Sequence, residues 1–303
     1  MTPTRDHGTL GNNIKIHFAG TEAFDCAYIA YDAGVRYFLF TVLPFIMDQF
    51  GIKWGTVDIC KSIRSYERLP VIGKHVIMDS GLFSLMFGAC KDVCPDESFI
   101  RRYKDAICNF IHEHKAYSFT CVECDCQKLL GVDLAWELRQ QMRDQIPNRI
   151  INVFHYEDGK KGLDRMIEFS EYIAISVPEL RIVKPKTYKE DTYRLANYIK
   201  EKKPEIDIHL LGGTEFEMVK RCNFCTSADS TSWISANRYG RILSNHISDI
   251  KPEKYKEICE RAARLLSEMD VTPTESLARY FGNYWLSAYL HRQKYERYAG
   301  PQD

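Results

Sequence analysis

Three aspartates close three short apolar runs that read as β-strands. Asp79 ends HVIMDSG at residues 75–81, Asp125 ends YSFTCVECD at residues 117–125, and Asp229 closes a short run that follows LLGG and a helical stretch. In a parallel α/β layer the carboxyl ends of the strands carry the variable loops, and that is where chemistry is done. Carboxylates held a few ångströms apart cannot both ionise comfortably, so one becomes a proton carrier while the other stays an anionic nucleophile. Glycosidic-bond chemistry needs that division of labour. Metal-dependent hydrolysis would use the same side chains, but the first strand, IKIHFAG, offers no His-x-His to begin such a site. Asp and Ser are also ordinary turn and cap residues, so a loop carboxylate is the plain alternative for Asp229 taken alone.

Other residues invite a weighing of the same kind. His155 ends a strand, where it could touch a substrate or be a satisfied structural histidine. Trp233, Asn237 and Arg238 follow Asp229, and an arginine beside an indole can hold a phosphate while the ring stacks on a base; a surface loop is the alternative. The stretch from Arg279 to Tyr298 mixes aromatics with Arg279, Arg292, Lys294 and Arg297, which suits a nucleic-acid edge, although aromatics at helical spacing also pack on a domain. His209 lies inside a strand and reads as core. Cys222-x2-Cys225 is half of a zinc site, and Cys121, Cys124 and Cys126 alternate along an apparent strand, so no bound zinc or other cofactor is expected.

The elements that would position these residues alternate. Strand patterns begin at residues 14, 35, 75, 117, 150, 172, 206 and just before Asp229, with helical patterns between most of them. Residues 44–70 look like an irregular insertion on the loop face. Eight strands alternating with helices match a (β/α)8 TIM barrel over residues 1–250, and residues 251–303 read as a C-terminal helical extension packed on it. An open doubly wound sheet is the second choice, weakened because no G-x-G-x-x-G follows the first strand. Thr272-Pro273-Thr274-Glu275 is a capping pattern that starts the last helix.

The 303 residues hold 41 basic and 41 acidic side chains, so a nucleic-acid surface must be a local patch. No apolar run approaches the length of a membrane span, and the opening residues lack the pattern of a signal peptide. A cytoplasmic protein without a membrane partner is expected. Eleven cysteines then read as thiols or ligands and not as a disulfide framework.

Asp79-Ser80-Gly81 with Phe83 resembles the DSGG-F signature of tRNA-guanine transglycosylases, and three further motifs follow in order. Asp125 ends a strand where that family carries its base-recognising aspartate, Leu210 to Gly213 resembles its LMG-type turn, and SADS around Asp229 resembles its nucleophile loop. The resemblance implies a (β/α)8 fold and base exchange in two displacements. Asp229 would attack the anomeric carbon, guanine would leave, and a 7-deazaguanine would displace the carboxylate with overall retention. By the same resemblance Asp79 moves the proton, Asp125 meets the base edge, Phe83 and Leu211 sandwich its faces, and Ser80 and the backbone of Gly212 and Gly213 help fix it; Gly81 and the strand-end His155, by position, are further candidates for contact with the base.

The departures narrow the reading. The C-x-C-x2-C zinc motif that the tRNA enzymes carry after the eighth strand is missing, since only Cys222 and Cys225 occur, on the other side of Asp229. The glycine-rich turn of the sixth strand is replaced by IAISVPE. This compact form is most similar to the phage and bacterial DpdA-type branch, which places 7-deazaguanines of the preQ0 type in DNA. DNA is therefore the expected macromolecular partner, with exchange on tRNA and a non-catalytic nucleobase-binding barrel as alternatives. Contacts to the polynucleotide are expected from Trp233, Asn237, Arg238 and the basic last helix.

Overall fold

The computed structural model describes residues 13–52, 59–68, 75–87, 95–234, 237, 240–243 and 245–302. Eight parallel strands close into a barrel in sequence order, with β8 returning to β1 through the register Lys15↔Ser227, Ile16↔Ala228, His17↔Asp229 and Phe18↔Ser230. The strands are β1 (Lys15–Ala19), β2 (Tyr37–Thr41), β3 (His75–Asp79), β4 (Thr120–Val122), β5 (Ile150–Phe154), β6 (Tyr172–Ser176), β7 (Asp207–Leu211) and β8 (Ser227–Ser230). This is the (β/α)8 architecture expected from the alternating patterns, with the helical extension in place. The fourth strand is shorter than its sequence pattern: Cys124 and Cys126 lie beyond it and are buried, not alternating on a ladder.

Helices α1 (Phe24–Asp32), α2 (Leu43–Ile46), α3 (Ile59–Arg68), α4 (Leu82–Phe87), α5 (Glu97–Glu113), α6 (Gln127–Leu130) and α7 (Val132–Gln145) accompany the first half of the barrel. Next come α8 (Gly159–Phe169), α9 (Val177–Val183), α10 (Tyr188–Lys202) and α11 (Phe216–Arg221), then α12 (Pro252–Glu268) and α13 (Glu275–Ala299). The supposed irregular insertion is largely helical where described. Pro44 sits in the first turn of α2, which tolerates its missing N–H, and Ser62, Ile63, Ser65 and Tyr66 bury one face of α3. Tyr66 Oη donates to the Thr21 carbonyl and to Thr21 Oγ1, fastening α3 to the loop after β1.

Period-two alternation divides the strand residues between two environments. One set (Ile16, Phe18, Phe38, Phe40, Ile173, Ile175, Ile208, Leu210) faces the helices and belongs to the large core. The other fills the lumen, where Ala19, Leu39, Ile77, Val122, Ile151, Val153 and Ala174 form an apolar plug. Alongside that plug the lumen is polar. His17 touches Tyr37, His75 and His209, residues of strands that do not all neighbour β1, so these rings meet across the barrel.

The last two helices share the large core through Leu265, Leu266, Phe281, Tyr284 and Tyr295. The aromatics of α13 are therefore in good part packing residues, and Arg279 and Arg292 pair with Glu275 and Glu296 of their own helix. Its N-cap is Thr274, whose hydroxyl accepts from the Leu277 amide at 3.3 Å, so the helix starts two residues later than the TPTE pattern suggests and Pro273 precedes the cap. Among the described residues no helix is long and apolar enough to cross a membrane.

Between β4 and α7 lies a buried ion pair. Arg139 Nε and Nη2 donate to the two Glu123 oxygens at 2.5 and 2.6 Å, and Asn152 Nδ2 and the Val153 amide donate to the same carboxylate. Removing one partner of such a pair strands a charge in the interior. Glu123→Ala is expected to lower unfolding free energy by about 3–5 kcal/mol in urea titration, with Glu123→Leu/Arg139→Met costing far less. A loss below about 1 kcal/mol in the single variant would show that the pair is dispensable.

Candidate active site

Asp79 is the last residue of β3. Its Oδ2 accepts the Gly81 amide at 2.9 Å, a tight turn that needs the left-handed φ of 75° at Gly81. Only glycine fits there: a Cβ would lie 2.2 Å from Thr41 Oγ1 and 2.5 Å from Leu43 Cβ. Ser80 is buried and its carbonyl accepts from Tyr103 Oη at 2.5 Å. The Asp-Ser-Gly run thus sets the carboxylate at the mouth, and Phe83, at the start of α4, is 63% exposed beside it. Burial pushes the Asp79 carboxyl up to about 7; the Gly81 hydrogen bond opposes this, and the charges of Asp229, Asp125 and Glu22 add to it. The three expected aspartates therefore share one electrostatic neighbourhood.

Asp229 is 8% exposed near the end of β8. Its Oδ1 accepts from the Gly212 amide at 2.6 Å and faces His209 Nε2 at 3.2 Å. Gly212 turns its N–H to the carboxylate with φ at 60°, and a Cβ there would come 3.0 Å from Pro178. The Gly212 amide is thus committed to Asp229. Gly213 serves packing: its Cβ position is 2.7 Å from Val177 Cγ2 and 2.8 Å from Met218 Cε. Leu211 is half-buried against the lumen plug.

Asp125 is tied into a charged row. His155 lies between two carboxylates, with Nε2 2.7 Å from Asp125 Oδ1 and Nδ1 2.9 Å from Glu179 Oε2. Burial alone would lower the His155 pKa, but the two carboxylates outweigh it and push it up to about 10. The ring is an imidazolium at neutral pH and both N–H groups are spent on these acids. Lys128 closes the row at 3.0 Å from Glu179 and 2.7 Å from Glu157. His155 thus pins one oxygen of Asp125 to the wall and is an orienting group, where the sequence left a substrate contact open.

Three residues of this mouth escape a strand-by-strand reading. Glu22 follows β1, accepts the Thr41 amide at 3.2 Å and contributes to the shift of Asp79. The carboxyl-end rule applied to the first strand would have found it. Glu179 enters because α9 replaces the glycine turn: Ser176 caps the helix, accepting from the Glu179 amide at 3.4 Å, an S-x-x-E signature in SVPE. His209, read as core, is indeed buried yet faces Asp229.

The expected polynucleotide contacts change most. Trp233 is 1% exposed, donates from Nε1 to the Ala19 carbonyl at 2.8 Å and packs on Phe18 and Tyr284, so it is a core residue and not a base-stacking platform. Asn237 is half-buried with Nδ2 3.3 Å from the Tyr280 carbonyl. Arg238 lies outside the described residues. Cys222 and Cys225 are buried just ahead of β8, and no group of three His, Cys, Asp or Glu among the described residues is arranged to hold a metal.

No family model matches the chain, and no curated protein matches it. Among solved structures, a chain from Burkholderia cenocepacia J2315 described as a lyase/mutase is similar at 10% identity and a TM-score of 0.43, over 89% of this chain and 91% of that one. The carboxyl transferase domain from Rhizobium etli pyruvate carboxylase is similar at 10% identity and a TM-score of 0.43, over 95% of this chain and 48% of that one. Likenesses this low bring neither protein's activity to this chain.

Proposed function

We propose that this chain is a guanine transglycosylase that exchanges guanine in DNA for a 7-deazaguanine through a covalent aspartyl-sugar intermediate. The observation that carries the reading is the unequal pair at one mouth: Asp79, pushed up to about 7, beside Asp229, whose Oδ1 is held by the Gly212 amide. One carboxyl can carry a proton at neutral pH while the other is oriented to attack. Asp229 Oδ2 bonds to the anomeric carbon, the bond to guanine N9 breaks, and the departing base takes a proton delivered by Asp79. The incoming base returns its N9 proton to Asp79 as it displaces the carboxylate. Asp125, fixed by His155 at one oxygen, offers the other to the base edge, and exposed Phe83 is placed to cover a base face.

A mouth lined by Glu22, Asp79, Asp125 and Asp229 repels phosphates. Keeping Asp79 protonated softens that repulsion and favours admission of a splayed nucleoside while the backbone stays outside. DNA is preferred over tRNA because Cys259 is the one cysteine of this chain after Asp229, so the zinc motif of the tRNA enzymes has no counterpart in it. Labelled 7-deazaguanine incubated with duplex DNA and with folded tRNA at one fixed salt concentration tests this, with label expected in DNA. Label in tRNA alone would transfer the proposal to the tRNA reaction, and label in neither would remove it.

A further inference from the structure

The lumen carries a run of polar side chains that ends on Asp229. Tyr172 Oη lies 2.5 Å from Ser227 Oγ, Ser227 Oγ lies 2.5 Å from His209 Nδ1, and His209 Nε2 lies 3.2 Å from Asp229 Oδ1. Tyr172, Ser227 and His209 are all fully buried, and His209 and Ser227 are register partners on β7 and β8. Asp229 acts as an anion in the function proposed above, and an anionic carboxylate can only accept, so on that reading the proton of this contact belongs to His209 Nε2. In the Nε2–H tautomer Nδ1 accepts, so Ser227 gives its single O–H to the ring and takes the Tyr172 phenol proton on its lone pair. Each donor then has one acceptor, and the hydrogen bonds all run toward the mouth.

We infer that His209 is a positioning residue for the nucleophile, locked as the Nε2–H tautomer by Ser227 and Tyr172, and that it acts mainly on the second displacement. This rests on Asp229 being the nucleophile proposed above. Donors on Oδ1 leave Oδ2 to bond to the sugar. In the second displacement the incoming N9 bonds to the anomeric carbon, the bond from that carbon to Oδ2 breaks, and its electron pair returns to the carboxylate. Charge reappears on Asp229 in that step, and an N–H already aimed at Oδ1 stabilises it without reorganisation. Attack by Asp229 consumes the same charge, so the donor gives the first step orientation only. Losing the donor should therefore make the covalent adduct build up.

The test pairs a spectroscopic and a kinetic readout on the full chain. Nitrogen-15 NMR of the His209 ring should show the proton on Nε2 and none on Nδ1, and Ser227→Ala should blur that preference. His209→Leu should exchange guanine about 10- to 100-fold more slowly, as expected for a lost hydrogen bond to a charged group. It should also hold a larger denaturant-resistant fraction bound to the polynucleotide. His209→Gln, which keeps an N–H within reach of Oδ1, should recover most of the rate at comparable thermal stability. A ring protonated on Nδ1 instead, an unchanged rate and adduct level in His209→Leu, or a glutamine variant no better than leucine would overturn the inference. Absence of exchange in the parent protein would overturn the proposed function and with it the kinetic half of the inference, while the ring tautomer would still decide the positioning half.

Discussion

Asp229→Asn is expected to abolish guanine release and base exchange, with a loss on the order of 10⁴-fold or more, as for removal of a covalent nucleophile. The substitution keeps the shape of the side chain, and its amide oxygen can still accept from the Gly212 N–H now 2.6 Å away and from His209. Folding should be undisturbed, so the loss reports chemistry. Asp125→Ala should behave differently, weakening or altering base binding, because that carboxylate is held by His155 to read an edge and forms no bond to the sugar. Guanine release and base affinity measured separately distinguish the two. Turnover at the parent rate in Asp229→Asn would remove the nucleophile from this reading.

Much of the placement of these residues is legible locally, because strand periodicity carries it. Leu211 is two residues beyond His209, and Asp229 two beyond Ser227, so each pair faces the lumen on its own strand. From that parity the approach of His209 to Asp229 could have been anticipated once β7 and β8 were taken as neighbours. What local pattern cannot carry is a partner chosen across the fold. Trp233 follows the nucleophile strand, where an indole can either cover a ligand or fold back. The Ala19 carbonyl, 214 residues away, decides for the core. His155 reads as a lone strand-end histidine until Glu179 arrives from α9 and Asp125 from the loop after β4, and only then is its charge fixed. The 44–70 segment misleads for a related reason: SIRSYER is charged overall, yet its Ser62, Ile63, Ser65 and Tyr66 face inward at helical spacing, and Ser62 and Tyr66 donate to the loop after β1.

Asp79→Asn should be inactive and, above neutral pH, more stable than the parent. The sign follows from proton binding. The folded-state pKa of Asp79 is raised from its ordinary 3.8 to about 7, so between those values the folded protein holds a proton that the unfolded chain has released. Stability therefore falls as pH rises through this window, and the full cost is present above the folded pKa. At about 1.4 kcal/mol per pH unit the penalty amounts to about 4 kcal/mol. Asparagine carries no charge, and its oxygen can accept the Gly81 amide that Asp79 accepts at 2.9 Å. Urea unfolding should show the two proteins nearly equal at about pH 3.5, where Asp79 is largely protonated in both states, the variant already ahead at about pH 5, and its lead greatest at about pH 8.5. Exchange should vanish throughout, because asparagine can neither deliver the proton to the departing guanine nor receive it from the incoming base. A stability difference that does not change with pH would mean that Asp79 is not held protonated at the mouth. The proton-carrier role would then have to pass to another carboxyl, and Glu22, whose charge also reaches Asp79, is the candidate once Asp229 and Asp125 have their own roles.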